Sequence, residues 1–309
     1  MPNSEGKRPV IFNPMKAKNH ISIKLPCGQC HGCRLERSRQ WAVRCTHEAS
    51  LHEKNSFITL TFSPDALALR KNEWSLDVRD FQLFMKRLRK NTKQKIRFYH
   101  CGEYGKMCSR CSLSLFNCAC GSDSLEVLGR PHYHACLFGY DFPDKILWKI
   151  VNNQPLYISE TLSALWPLGF STIGAVTFES AAYVARYVMK KINGDLSEQH
   201  YVRFDTGEIL KPEYTTMSRR DGIGKDWLKT YLDDVYPHDF IVVNGKKCRP
   251  PRFYDNHLKT HRPFTFDDVK FSREKKSKLH VDNNTPERLN VRAQIEQQKL
   301  NLLPRNKEF

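Results

Sequence analysis

The sequence predicts an α+β fold: an antiparallel sheet laid down in β-α-β-β-α-β-α order. Three observations predict it. Four short segments rich in β-branched and aromatic residues are each bounded by turn residues. Between the first two, apolar residues recur at helical period. The second and third follow each other with no helical pattern between them, which favours antiparallel neighbours.

Taken in order, FITLTF (Phe57–Phe62) stops at Ser63-Pro64 and reads as the first strand. LDVRDFQLFMKRLRK places Leu76, Phe81, Phe84, Met85 and Leu88 on one helical face. Its Lys86, Arg87, Arg89 and Lys90 suit the helix C-terminus. KIRFYHC (Lys95–Cys101) and PHYHACLFG (from Pro131) are the second and third strands. DKILWKIV and SETLSALWP read as short helices, the latter stopped by Pro167. FSTIGAVTF (Phe170–Phe178) is the fourth strand and SAAYVARYVMKK the closing helix. This is the split-βαβ, ferredoxin- or RRM-like pattern with one more helix. Residues 1–24 form a basic arm, 25–262 the main domain and 263–309 a charged tail. No order is legible in 200–262.

A net charge of +17 over 309 residues favours a polyanionic partner, most often nucleic acid, over an acidic small substrate. No segment reaches the ~18 apolar residues that span a bilayer, and the N-terminus lacks a secretory apolar core. A cytoplasmic site of action is therefore expected, where eleven cysteines serve as thiols or metal ligands rather than disulfides. No G-x-x-x-x-G-K-[ST] loop occurs, so the chain is not its own helicase or NTPase.

In GRPHYHACLFG, strand alternation puts His132, His134, Cys136 and Phe138 on one face and Tyr133, Ala135 and Leu137 on the other. Two imidazoles on one face can converge on one divalent metal, although an isolated H-x-H more often begins an ordinary strand. In YVARYVMKK, Tyr183 and Tyr187 stand one turn apart, with Arg186 and Lys190 on the same side. Val184, Ala185, Val188 and Met189 form a separate apolar stripe that docks on the sheet, so the helical wheel turns the tyrosine face outward.

An H-x-H strand followed by a Tyr-x-x-x-Tyr helix resembles the HUH endonucleases, specifically the two-tyrosine rolling-circle replication initiators. Tyr133 departs from the plainer apolar residue usual between the histidines. PCGQCHGCRLERSRQWAVRC, CGEYG, GRPHYHACLFG, TFESAAYVARYVMKK and MSRRDGIGKDW narrow the resemblance to the initiators of gokushovirus-type microviruses, over roughly Leu25 to Asp255. The resemblance implies origin nicking by tyrosine transesterification, a 5′-phosphotyrosine link, a free 3′-hydroxyl and later rejoining. It implies Tyr183 and Tyr187 as nucleophiles assisted by Lys190, and Mg²⁺ or Mn²⁺ on His132 and His134. By resemblance and position, Glu103 is the third ligand. Partners would be single-stranded DNA, the viral origin, and the host helicase and polymerase, in the bacterial host's cytoplasm. Lys86, Arg87, Arg219 and Arg220 are candidate phosphate contacts. The competing reading is a non-catalytic zinc protein that binds single-stranded nucleic acid.

Cys108, Cys111, Cys118 and Cys120 suit tetrahedral Zn²⁺, in what looks like an insertion at 106–128. Cys27, Cys30 and Cys33 form C-x₂-C-x₂-C, with His31, Cys45 or His47 as a fourth ligand. A structural zinc site and a metal-free turn both remain open there. The basic helix that follows carries Trp41, either against DNA or docked in the core.

Overall fold

The computed structural model describes residues 25–28, 30–108, 126–190 and 206–302, and in smaller pieces 13, 15, 120, 197 and 200–203; the side chains of 126, 187–190 and 300–302 fall outside that description. Seven strands form one antiparallel sheet: β1 Asn55–Thr61, β2 Arg97–Cys108, β3 Glu126–Phe138, β4 Ile146–Val151, β5 Gln154–Ile158, β6 Ser171–Gly174 and β7 Tyr214–Met217. Their spatial order is β4-β5-β6-β1-β3-β2-β7, so the strand with the two histidines is near the centre. The helices that matter most are α1 His31–Ala49, α2 Pro64–Ala68, α3 Val78–Thr92, α4 Glu160–Leu165 and α5 Phe178–Lys190. The predicted α+β antiparallel architecture is the one observed.

Both faces of the sheet are covered, and this is why the interior of β1 is continuously buried rather than alternating. On one face, Phe81, Phe84, Met85 and Leu88 of α3 pack on Ile58, Leu60, Tyr133, Ala135, Leu137 and Ile173. Asp77 caps α3 by accepting from the Arg79 backbone N–H. On the other face, Ala42 and Cys45 of α1 and Ala181, Val184 and Ala185 of α5 pack on Phe57, Tyr99, Cys101, Cys136 and Phe138. α1 and α5 are joined by Ser38 Oγ donating to the Ala182 carbonyl at 3.1 Å. Trp41 belongs to this layer, stacked on Tyr99 at 4.7 Å; of its two readings, the core one describes its position.

DKILWKIV is a strand, not the expected helix. Asn152 and Asn153 both have positive φ (51° and 61°), the two-residue turn that closes a β4–β5 hairpin. A short apolar run does not by itself separate helix from strand, and the Asn-Asn pair was the signal that would have decided it. Region 200–262, where the sequence showed no order, supplies β7 and a third cluster. In that cluster Val43 of α1 meets Leu228, Leu232, Val235, Tyr254 and Leu258. Within the expected tail, the helix Pro263–Lys278 adds Val269 to the same cluster. Its Arg273 bridges Asp239 and Asp255 at 2.5 and 2.8 Å. The helix Pro286–Leu302 follows.

Candidate active site

The sheet register assembles the site. Glu103 on β2 stands directly across from His132 on β3. Thr59 and Thr61 on β1 stand across from His134 and His132. Cross-strand partners share a face, so these side chains all rise on the α1/α5 side. Glu103 Oε1 lies 2.5 Å from His132 Nε2 and 3.2 Å from His134 Nε2. The ligand atoms of the three residues fall within 4.8 Å of one another and could hold a metal ion. Glu103, expected on or just after its strand, is buried inside it.

The surrounding bonds orient both rings. His132 Nδ1 faces the Arg130 carbonyl at 3.2 Å. A carbonyl only accepts, so a proton on Nδ1 satisfies it, and that tautomer is the one that leaves Nε2 to ligate a metal beside Glu103. His134 Nδ1 bonds the Thr59 hydroxyl at 2.9 Å. The side chains of Glu103 and His134 are 3% exposed and that of His132 17%, so the site opens toward solvent at His132. The donor set of two imidazoles and one carboxylate fits Mg²⁺, Mn²⁺ or Zn²⁺.

α5 brings Tyr183 to this cluster. Its ring meets His134 edge to face at 5.1 Å and Phe57 at 6.5 Å, and the Arg186 guanidinium stands 6.0 Å from its centroid. Tyr183 is half-buried against the sheet rather than pointing outward as the helical wheel suggested. Ala181, Val184 and Ala185 are small, so α5 sits close enough to lean its tyrosine over the histidines. Tyr187 and Lys190 belong to α5 by backbone, but their side chains lie outside the described residues.

The residue between the histidines has a structural task. The Tyr133 hydroxyl accepts from the Asp77 N–H at 3.1 Å and donates to Asp80 Oδ2 at 2.7 Å. It thereby ties β3 to the first turn of α3, and burial beside Asp80 pushes its phenol well above the usual range. Thr59 went unremarked in the sequence, although alternation in FITLTF already set it on the face of Phe57 and Thr61.

The candidate phosphate contacts do not gather here. Lys86 and Arg87 lie on α3, behind the opposite face of the sheet, and Arg87 donates to the Leu165 carbonyl at 2.9 Å. Arg219 and Arg220 are exposed just past β7, near the Arg97 end of β2. That end is six residues from Glu103, about 20 Å along the strand.

The two cysteine groups differ in what can be described. The sulfurs of Cys27, Cys30 and Cys33 lie within 4.8 Å of one another, and Cys27 and Cys33 are 4.0 Å apart. Tetrahedral zinc with ~2.3 Å bonds sets sulfurs about 3.8 Å apart, so the spacing fits. The Cys30 backbone N–H donates to Cys27 Sγ at 3.2 Å. Two of the fourth ligands considered are excluded. Cys45 is buried in the α1/α5 layer, about 18 Å along α1 from Cys33. His47 stacks on Trp227 at 3.4 Å and bonds the Tyr254 hydroxyl. In the other group, Cys108 is buried at the end of β2 and Cys120 is half-buried, whereas Cys111 and Cys118 lie outside the described residues.

Among the described residues, no helix is long and apolar enough to cross a membrane. The replication-associated protein ORF2/G2P family matches residues 55–111 and 124–192. The gap between the two stretches holds Cys118 and Cys120, and the stretches contain Cys108, Cys111 and the Glu103, His132, His134 and Tyr183 cluster. The chain is 30% identical over 277 residues to replication-associated protein ORF2 of Spiroplasma virus 4, covering 84% of this chain and 77% of that one. It is 29% identical over 266 residues to replication-associated protein VP4 of Bdellovibrio phage phiMH2K, covering 82% and 74%. With replication-associated protein ORF4 of Chlamydia phage 1 it shares 29% over 273 residues, covering 82% and 57%. No solved structure matches the chain.

Proposed function

We propose that this chain, which belongs to the replication-associated protein ORF2/G2P family, starts rolling-circle replication of a phage genome as an HUH-type endonuclease and strand transferase. The observation that carries the reading is the placement of Tyr183 against the Glu103–His132–His134 cluster: a phenol nucleophile beside a set of metal-ligand groups.

In the proposed reaction the Tyr183 oxygen attacks a phosphorus of the origin strand. The phosphorus–O3′ bond breaks, O3′ leaves and takes up a proton in exchange for the one the phenol gives up, and the 5′ end remains as phosphotyrosine beside a free 3′-hydroxyl. The phosphodiester bond energy is kept for rejoining. Glu103, His132 and His134 would hold Mg²⁺ or Mn²⁺, which polarises the phosphate when bound. Arg186, beside the Tyr183 ring, favours the phenolate and the charge that builds on phosphorus. Lys190 serves the same end from the next turns of α5. Tyr187 supplies the second attack, so that one tyrosine holds the displaced end while the other cuts the regenerated origin. Lys86, Arg87, Arg219 and Arg220 contact backbone phosphates away from the nick.

Catalysis is assigned to residues 25–262, with 1–24 as a basic arm and 263–309 as a charged extension. Cys27, Cys30 and Cys33 bind structural zinc, and Cys108, Cys111, Cys118 and Cys120 form a second zinc site in the 106–128 insertion. The protein acts in the host bacterial cytoplasm with the host's helicase and polymerase.

The test is a denaturing gel for covalent protein–DNA adducts, after incubation of the chain with its cognate circular genome and Mn²⁺. An adduct that disappears with chelator and in the Tyr183→Phe/Tyr187→Phe double variant is the expected result. Tight DNA binding with no adduct would overturn the reading in favour of a non-catalytic zinc-containing binding protein.

A further inference from the structure

The outer edge of the sheet carries an aromatic surface that neither the core nor the candidate active site uses. Trp148 on β4 is 42% exposed and Phe170, just before β6, is 49% exposed. Their rings meet edge to face at 4.8 Å, and the Lys149 ammonium stands 4.1 Å over the Trp148 ring. Two large rings held together in solvent beside a lysine need an explanation that packing does not supply.

The sheet register connects this edge to the site. Thr61 lies across from His132 on β3. On its other side, both the Thr61 N–H and the Thr61 hydroxyl donate to the Phe170 carbonyl, at 2.9 and 2.8 Å. The row Glu103, His132, Thr61, Phe170 therefore runs straight across four neighbouring segments of the sheet. Thr172 pairs with Thr59, and Thr59 with His134; two residues along, Phe170 rises on the same face as the histidines. From His132 to Phe170 is two strand spacings, ~10 Å, or about three stacked nucleotide steps. The segment is pressed directly against the end of β1: a Cβ on Gly169 would come within 2.3 Å of the Thr61 carbonyl oxygen.

We propose that Trp148 and Phe170 form a base-stacking platform for single-stranded DNA that leads into the Glu103–His132–His134 site, an inference that rests on the strand-nicking reading above. Aromatic faces accept any base, and a neighbouring lysine meets the phosphate that follows. The other occupant of an apolar edge would be a second copy pairing along β4. Two features oppose it. The β4 ladder shifts register between Leu147 and Lys149, which interrupts the regular edge that an added strand needs. Each chain also carries a net charge of +17, which repels a copy and attracts a polyanion.

The experiment measures equilibrium binding of the full chain to fluorescent oligothymidine and to an abasic strand of the same length. Trp148→Ala and Phe170→Ala are each expected to weaken oligothymidine binding roughly ten-fold, from the usual worth of base–aromatic stacking. Binding to the abasic strand should stay unchanged, and Trp148→Phe should restore most of the loss. Equal losses on both strands, or none on either, would overturn the platform. So would a dimer in sedimentation that Trp148→Ala converts to monomers. The assay needs no cleavage. A base-dependent loss without any covalent adduct would sink only the nicking chemistry; an adduct with no base-dependent loss would sink only the platform.

Discussion

On one side of β3 stand His132 and His134, which share a buried carboxylate and open at one edge to solvent. On the other stand Tyr133, Ala135 and Leu137, closed over by α3. The same backbone carries both surfaces, and alternation alone separates them. On the α3 side β3 is held by apolar packing and by the Tyr133 hydroxyl bridging to Asp77 and Asp80. On the α5 side the polar groups converge on one point and leave an entrance. A sheet strand thus serves as a rigid mount: its packed face holds the backbone still so that its polar face can present ligands at a fixed distance.

The largest separation of the two faces should come from Glu103→Ala. Adduct formation is expected to fall on the order of 10³-fold or more, while the melting temperature stays within a few degrees of wild type; calorimetry and the adduct gel read the two quantities separately. Phe84→Ala, in the fully buried layer behind β3, should do the reverse. It should cost about 3–5 kcal/mol in urea unfolding and leave the adduct yield per folded molecule unchanged. If Phe84→Ala instead abolished the adduct in protein that remained folded, the two faces would not be independent.

A third histidine sharpens the contrast. His47 on α1 is buried against Trp227, and burial lowers its pKa to about 4. The unfolded imidazole takes up its proton near pH 6.5, so acid favours the unfolded chain. This contribution is complete above about pH 6.5 and is lost as the pH falls toward 4, at a cost of about 3 kcal/mol. Urea midpoints recorded across that interval should show the decline, and His47→Gln should make it shallower, with the buried His100, whose pKa burial also lowers, supplying part of what remains.

Smaller effects test how the rings are held. Thr59→Val keeps the shape and removes the hydroxyl that bonds His134. Affinity for Mn²⁺, followed by calorimetric titration, should drop about 10–100-fold; unchanged affinity would assign Thr59 to packing. Tyr133→Phe should be the mildest change, with about 1–2 kcal/mol lost from unfolding stability and no change in adduct yield.

Much of this was legible in the chain. The alternation in PHYHACLFG by itself separated the histidine face from the Tyr133 face, because a strand has a period of two. The helical period of LDVRDFQLFMKRLRK likewise foretold its buried face, and on α5 Val184 and Ala185 of the expected stripe are buried, whereas Tyr183 is half-buried rather than turned outward. The C-x₂-C-x₂-C spacing brought three sulfurs together because a few residues of chain cannot carry them far apart. DKILWKIV escaped because its five apolar residues suit either period and the Asn-Asn turn carried the decision.

What only the tertiary structure decided is which residues meet across strands and between layers. Register places Glu103 opposite His132, Thr59 opposite His134, and Phe170 in line with the first pair. No local pattern encodes a pairing between residues 29 or 75 positions apart in the chain. The lean of Tyr183 over His134 depends likewise on how closely α5 packs on the sheet. Local physics determines the kind of element and its faces; the meeting of distant faces is settled when they compete to bury the same core.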